Sequence, residues 1–162
     1  MKPAVRATIE SSLRECEAHR HWIARARAKL SGTFPLTAES LAGLDEREVE
    51  LVDQLIYRFT KLQDSMARRL LPSLHELLEG TDEPVPFLDI VNRLEALGIV
   101  PSASEWQMFR NLRNNLAHDY PESREQTAIT LNQLYSDLPR LETLFENARR
   151  EYERRSPGIP AQ

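Results

Sequence analysis

Cysteine is almost absent: Cys16 is the only one in 162 residues, which rules out an internal disulfide and any cysteine-rich zinc site. The fold must therefore rest on buried apolar surface, and the chain is long enough to build one core of that kind. Glycine is scarce at 5 residues, and no glycine-rich loop of the phosphate-cradling type occurs. No stretch approaches the roughly 20 apolar residues that span a bilayer. The opening Met1-Lys2-Pro3-Ala4-Val5-Arg6 lacks the apolar run of a signal peptide. A soluble, cytoplasmic protein without membrane contact is the expectation. An excess of positive charge is missing too, since 21 Lys and Arg against 25 Asp and Glu leave a formal charge of -4. Any RNA-binding surface must then be a local patch, and tight non-specific binding along a polymer is disfavoured.

What the sequence does contain is helical periodicity. Hydrophobic residues make up 41% and charged residues 28%, and no segment alternates as a strand does. From Pro3 to about Leu30, apolar residues recur at Val5, Ile9, Leu13, Cys16 and Ile23. Ser31 to Pro35 should stop that helix, and the stretch to Gly43 has room for one short turn. Asp45 opens a long run with the stripe Val52, Leu55, Phe59, Leu62, Met66 and Leu70, which Pro72 should kink or end. A short helix carries Phe87, Ile90, Leu94 and Leu97, with Gly98 at the position of a left-handed cap. Ser102 or Ser104 can cap the next helix, whose stripe is Trp106, Phe109, Leu112 and Leu116. The last helix repeats Leu131, Leu134, Leu138, Leu141, Phe145, Ala148 and Tyr152 in steps of three and four. Pro139 inside it predicts a kink and the loss of the bond to the carbonyl of Tyr135. These elements predict an all-α, antiparallel up-and-down bundle of four to five helices, one domain over residues 1–155 with a tail at 156–162.

Chemistry concentrates in Arg110-Asn111-Leu112-Arg113-Asn114-Asn115-Leu116-Ala117-His118-Asp119-Tyr120-Pro121. Phosphodiester cleavage needs an acid/base group that titrates near neutrality, which His118 supplies. It also needs a fixed cation for the phosphate oxygens, which Arg113 supplies. Asn114 can hold a ribose or phosphate oxygen and Tyr120 can donate a phenolic hydrogen bond, with Arg110 and Asp119 as supporting groups. On an ideal helix, Arg113 and His118 point about 140° apart. Either the helix unwinds ahead of Pro121, or a symmetric dimer completes the site. The plainer alternative is that His118 caps the helix C-terminus and the Arg-Asn run is a solvated face.

The string Arg113-x-x-x-x-His118-x-Tyr120, set in Leu112 to Pro121, resembles the signature of the HEPN superfamily and in particular its HepT toxin branch. Leu94 to Pro101 with Glu105-Trp106, and Tyr57 to Asp64, are similar to that branch as well. The similarity runs from about Asp45 to Pro139. It implies a HEPN-like bundle and a metal-independent endoribonuclease with no cofactor, acting on RNA as a homodimer that brings the motif helices together. Arg113 and His118 would be catalytic. The implied partner is a cognate nucleotidyltransferase-type antitoxin, which modifies the tyrosine two residues after the histidine, here Tyr120, with AMP. Two rivals stay open: a non-catalytic HEPN subunit that binds nucleotide or substrate for a nucleotidyltransferase, and a purely structural bundle.

Elsewhere, Tyr57, Lys61, Asp64 and Arg68 share one face of the second long helix. They are read either as surface ion pairs, Lys61 with Asp64 and Asp64 with Arg68, or as the border of a cleft. His19 and His21 lie on different faces of the first helix, unsuited to a shared metal, and are expected at the surface. His75 in its leucine-rich neighbourhood is expected to be structural, and Trp106 to pack in the core or an interface.

Overall fold

The computed structural model describes residues 2–81, 83–117 and 123–156. No strand occurs among them. The helices are α1 (Pro3–Lys29), α2 (Ala38–Ala42), α3 (Glu46–Ser65), α4 (Leu71–Glu79), α5 (Phe87–Ala96), α6 (Ala103–Ala117) and α7 (Arg124–Arg155). A π-helical turn, Met66–Leu70, joins α3 to α4 without a break. The protein is an all-α bundle whose columns are α1, the continuous α3–α4, α6 and α7.

Side-chain pairs give the direction of two columns relative to α1. His19, Glu15 and Lys2 of α1 and its flank meet Arg58, Arg69 and Glu76 in turn, so α3–α4 runs antiparallel to α1. Arg27, Arg20 and Glu10 meet Tyr135, Glu146 and Tyr152, so α7 is antiparallel to α1 as well. Among the described residues, no helix is long and apolar enough to cross a membrane.

Local chemistry accounts for the boundaries. Asp45 and Glu48 form a reciprocal capping box at the start of α3, with bonds of 2.8 and 3.0 Å; Asp45→Ala would cost about 1 kcal/mol. Ser102 accepts from the backbone N–H of Glu105 at 3.0 Å, and Ser123 caps α7 by accepting from Gln126 at 3.1 Å. Gly98 takes the left-handed conformation, φ 73°, that closes α5.

Pro72 neither ends the long helix nor stands alone in it. The π turn ends in a bond from the Leu71 N–H to the Met66 carbonyl, which lengthens the loop of backbone just ahead of the proline ring. That ring would otherwise press on the carbonyl four residues back. The stripe Val52, Leu55, Phe59, Leu62, Met66 and Leu70 stays buried through the turn.

On α1 the buried stripe is Val5, Ile9, Ser12, Cys16, His19, Ile23 and Ala26, in regular steps of four and three. Ser12 takes the core position in place of Leu13, its hydroxyl donating to the Thr8 carbonyl at 2.7 Å. His19 corrects the expected surface placement: it is buried, because the heptad spacing turns it inward whatever its polarity. On α5, Val91 is buried and Leu97 exposed, since Leu97 is already the capping residue. The α7 stripe is buried at every position named above. Removing one such side chain, as in Leu62→Ala, would cost roughly 2–5 kcal/mol.

Candidate functional site

Helix α6 packs against α3, α5 and α7 and buries Trp106, Phe109 and Leu112, which leaves Arg110, Arg113 and Asn114 at the rim. Arg113 is anchored across that rim. Its Nε lies 3.1 Å from Oδ1 of Asp64, and its Nη2 donates to Oδ2 at 3.2 Å. Asp64 therefore pairs with neither Lys61 nor Arg68; the two ion pairs expected along α3 give way to one between helices. Arginine suits this because its planar fork matches a carboxylate edge. Nη2 makes the hydrogen bond to the carboxylate, Nε stays within ion-pair distance without a hydrogen-bond partner, and Nη1 donates to the Asn114 Oδ1 at 3.4 Å. The pair is about two-thirds buried, with side chains 30% and 27% exposed.

Beside the pair is a cleft of about 350 Å³ between α3, the π turn and α6. Arg68, Arg110 and Arg113 line it against Asp64 as the single carboxylate. Arg110 and Arg68 are exposed and have no carboxylate partner among the described residues. The protein is acidic overall, and this cleft is a local positive patch of the kind that can bind a phosphate. Trp106 forms part of its wall, 3% exposed and packed on Phe87 with ring centroids 5.7 Å apart. It packs rather than stacking on a ligand.

The motif string is divided by α6. Arg113 and Asn114 face this cleft, whereas Asn115 and Leu116 border a second one, about 660 Å³, with Asp53, Arg124 and Thr127. His118, Asp119 and Tyr120 lie outside the described residues, as does Pro121.

Of the proposed cleft face on α3, Asp64 meets the motif directly. Tyr57 is 52% exposed, and Lys61 sits over its ring with Nζ 5.7 Å from the centroid. His75 is buried at the edge of a small pocket with Pro72, Glu76 and Thr81. Burial pushes the Cys16 thiol up to about 12, which leaves it an unreactive core group. Among the described residues, no three His, Cys, Asp or Glu side chains gather as a metal site would need.

Comparisons with protein-family models, with curated proteins and with solved structures found no match to this chain.

Two features of the site escaped the reading of the sequence. The π turn that presents Ala67 and Arg68 to the cleft had one available signal, a proline inside an otherwise unbroken helical stripe. The Arg113–Asp64 pair had none, because the two residues lie 49 positions apart.

Proposed function

We propose that this protein is a metal-independent endoribonuclease toxin of the HEPN, HepT-like kind, neutralised by a cognate nucleotidyltransferase-type antitoxin. The observation that carries the reading is the anchoring of Arg113 by Asp64 beside an arginine-rich cleft. Together with the Arg113-x-x-x-x-His118-x-Tyr120 string, it supplies a fixed cation next to an imidazole in sequence.

In the proposed reaction the ribose 2′-hydroxyl attacks the adjacent phosphorus and loses its proton to a base. The bond to the 5′-oxygen breaks, and that oxygen takes a proton. The products are a 2′,3′-cyclic phosphate and a 5′-hydroxyl end. His118 moves protons, and Arg113 binds the non-bridging oxygens as charge builds on them. Pairing of two motif helices across a homodimer brings Arg113 and His118 of the two copies onto one phosphate. AMP on Tyr120 adds a negative charge and an adenosine beside both residues and excludes RNA.

The experiment is expression without a partner. Wild type should arrest growth and leave new RNA ends, and His118→Ala should do neither; equal growth of the two would refute the proposal. The same ion pair favours a second reading, since a carboxylate on Arg113 weakens its pull on phosphate. A non-catalytic subunit that binds nucleotide for a nucleotidyltransferase would keep Arg113 in that paired state.

A further inference from the structure

From residue 18 to residue 38 the chain contains no Asp or Glu, yet it holds Arg20, Arg25, Arg27 and Lys29 with His19 and His21. Part of this segment lines a groove of about 440 Å³ between α1 and α3, to which α3 adds Arg47 and Arg58 against a single carboxylate, Glu50. Elsewhere on the surface, arginines such as Arg6, Arg69, Arg93 and Arg154 are neutralised by neighbouring carboxylates. Here Arg25, Lys29, Arg47 and Lys61 have no carboxylate partner among the described residues.

Two large rings stand among these cations. Trp22 is 42% exposed and Tyr57 52%. The Arg58 guanidinium lies 5.7 Å from the Trp22 ring and 5.4 Å from that of Tyr57, bridging them. Arg25 flanks Trp22 at 5.7 Å, and Lys61 flanks Tyr57 at the same distance. His19 fixes the bridge, because its Nδ1 lies 3.1 Å from Arg58 Nη1 and can only accept from a guanidinium. Half-exposed rings set among cations match one class of ligand: bases that stack where a guanidinium or ammonium now lies over a ring, joined by phosphates that take up the displaced cations. An acidic protein would need the cations but not the two half-exposed rings.

We infer that the Trp22 groove, with Tyr57 beside it across Arg58, is a docking site for single-stranded RNA, separate from the Arg113 cleft and feeding it. The inference rests on the ribonuclease reading only in choosing RNA over DNA. Tyr57, Lys61 and Asp64 share one face of α3, and the rise from Tyr57 to Asp64 is about 10 Å. At about 3.4 Å per nucleotide of a stacked strand, roughly three nucleotides connect Tyr57 to the Asp64–Arg113 pair.

The test is fluorescence anisotropy with a labelled, mixed-sequence 2′-O-methyl oligoribonucleotide, which cannot be cleaved through its 2′-oxygen. Wild type should bind and show quenched Trp22 emission. Trp22→Ala and Tyr57→Ala should each weaken binding by roughly ten-fold or more, with circular dichroism unchanged because both rings face solvent. Trp22→Phe should retain most of the affinity and lose the quenching. Undiminished affinity in both alanine variants would overturn the inference, as would no binding at all. Loss confined to Arg47→Glu would overturn it too, exposing a plain polyanion patch that an acidic protein could use. The two readings separate cleanly. Trp22-dependent binding by a chain that cuts no RNA keeps the groove and removes the ribonuclease, and cleavage without such binding does the reverse.

Discussion

Arg27 donates from Nη2 to the backbone carbonyl of Tyr135 at 3.2 Å, and this is the carbonyl that Pro139, with no N–H, leaves without its helical donor. The exchange is mutual: the Tyr135 hydroxyl donates to the Arg27 carbonyl at 3.4 Å. The guanidinium also lies 4.8 Å from the centre of the Tyr135 ring, and Phe34 stacks on that ring at 4.2 Å. A proline that would weaken α7 has thus become one of the points at which α1 is tied to it.

Arg27→Ala should therefore destabilise the fold by roughly 1.5–3 kcal/mol, the range for a hydrogen bond from a charged donor. In a Pro139→Ala background, residue 139 regains an N–H for the Tyr135 carbonyl, and the cost of Arg27→Ala should shrink. Urea melts of the four proteins measure this coupling. An equal cost in both backgrounds would show that Arg27 acts through packing alone.

His19 should make stability depend on pH. Burial, and after it the Arg58 guanidinium, hold its imidazole below the usual histidine range; Glu15 opposes this, and Lys61 adds to it. The unfolded chain then takes up the proton at a higher pH than the folded one. The contribution of neutral His19 is complete above the unfolded value of about 6.5. It is lost progressively as pH falls through that value towards the lowered folded one. The urea midpoint should drop over this window more steeply in wild type than in His19→Gln. Identical slopes would contradict the burial assigned to His19.

The helices could be read from the sequence because burial followed a strict repeat of apolar residues. Every residue of the α7 stripe from Leu131 to Tyr152 is buried. Ser12 and His19 fill core positions on α1 although they are polar, and side-chain type alone does not mark such positions. At Pro72 the helix continues, and the disturbance expected of the proline takes the form of a π turn just ahead of it. At the site, Arg113, Asn114 and Asp64 were each singled out from the sequence, but the ion pair uniting them depends on the packing of α6 on α3. No local pattern encodes that packing.

Asp64 acts on Arg113 as a positioning residue in the proposed reaction. Asp64→Asn keeps the shape but removes the charge that orients the guanidinium. It should lower kcat for RNA cleavage by about ten-fold, a loss of some 1.4 kcal/mol of transition-state stabilisation, with little change in KM. The pair is partly solvated, so the urea midpoint should move by less than about 1 kcal/mol equivalent. Arg113→Lys should not restore the activity lost in Arg113→Ala, because an ammonium cannot engage a carboxylate edge and a phosphate at once. A rise in activity in Asp64→Asn would mean that the carboxylate masks Arg113 rather than positioning it.

The decisive measurement is digestion of RNA by the purified protein in EDTA, with the new ends identified by mass spectrometry. Wild type should generate 2′,3′-cyclic phosphate and 5′-hydroxyl ends, and Arg113→Ala and His118→Ala should generate neither while keeping their helical circular dichroism. Intact RNA after incubation with wild type, or cleavage that persists unchanged in both variants, would contradict the ribonuclease assignment.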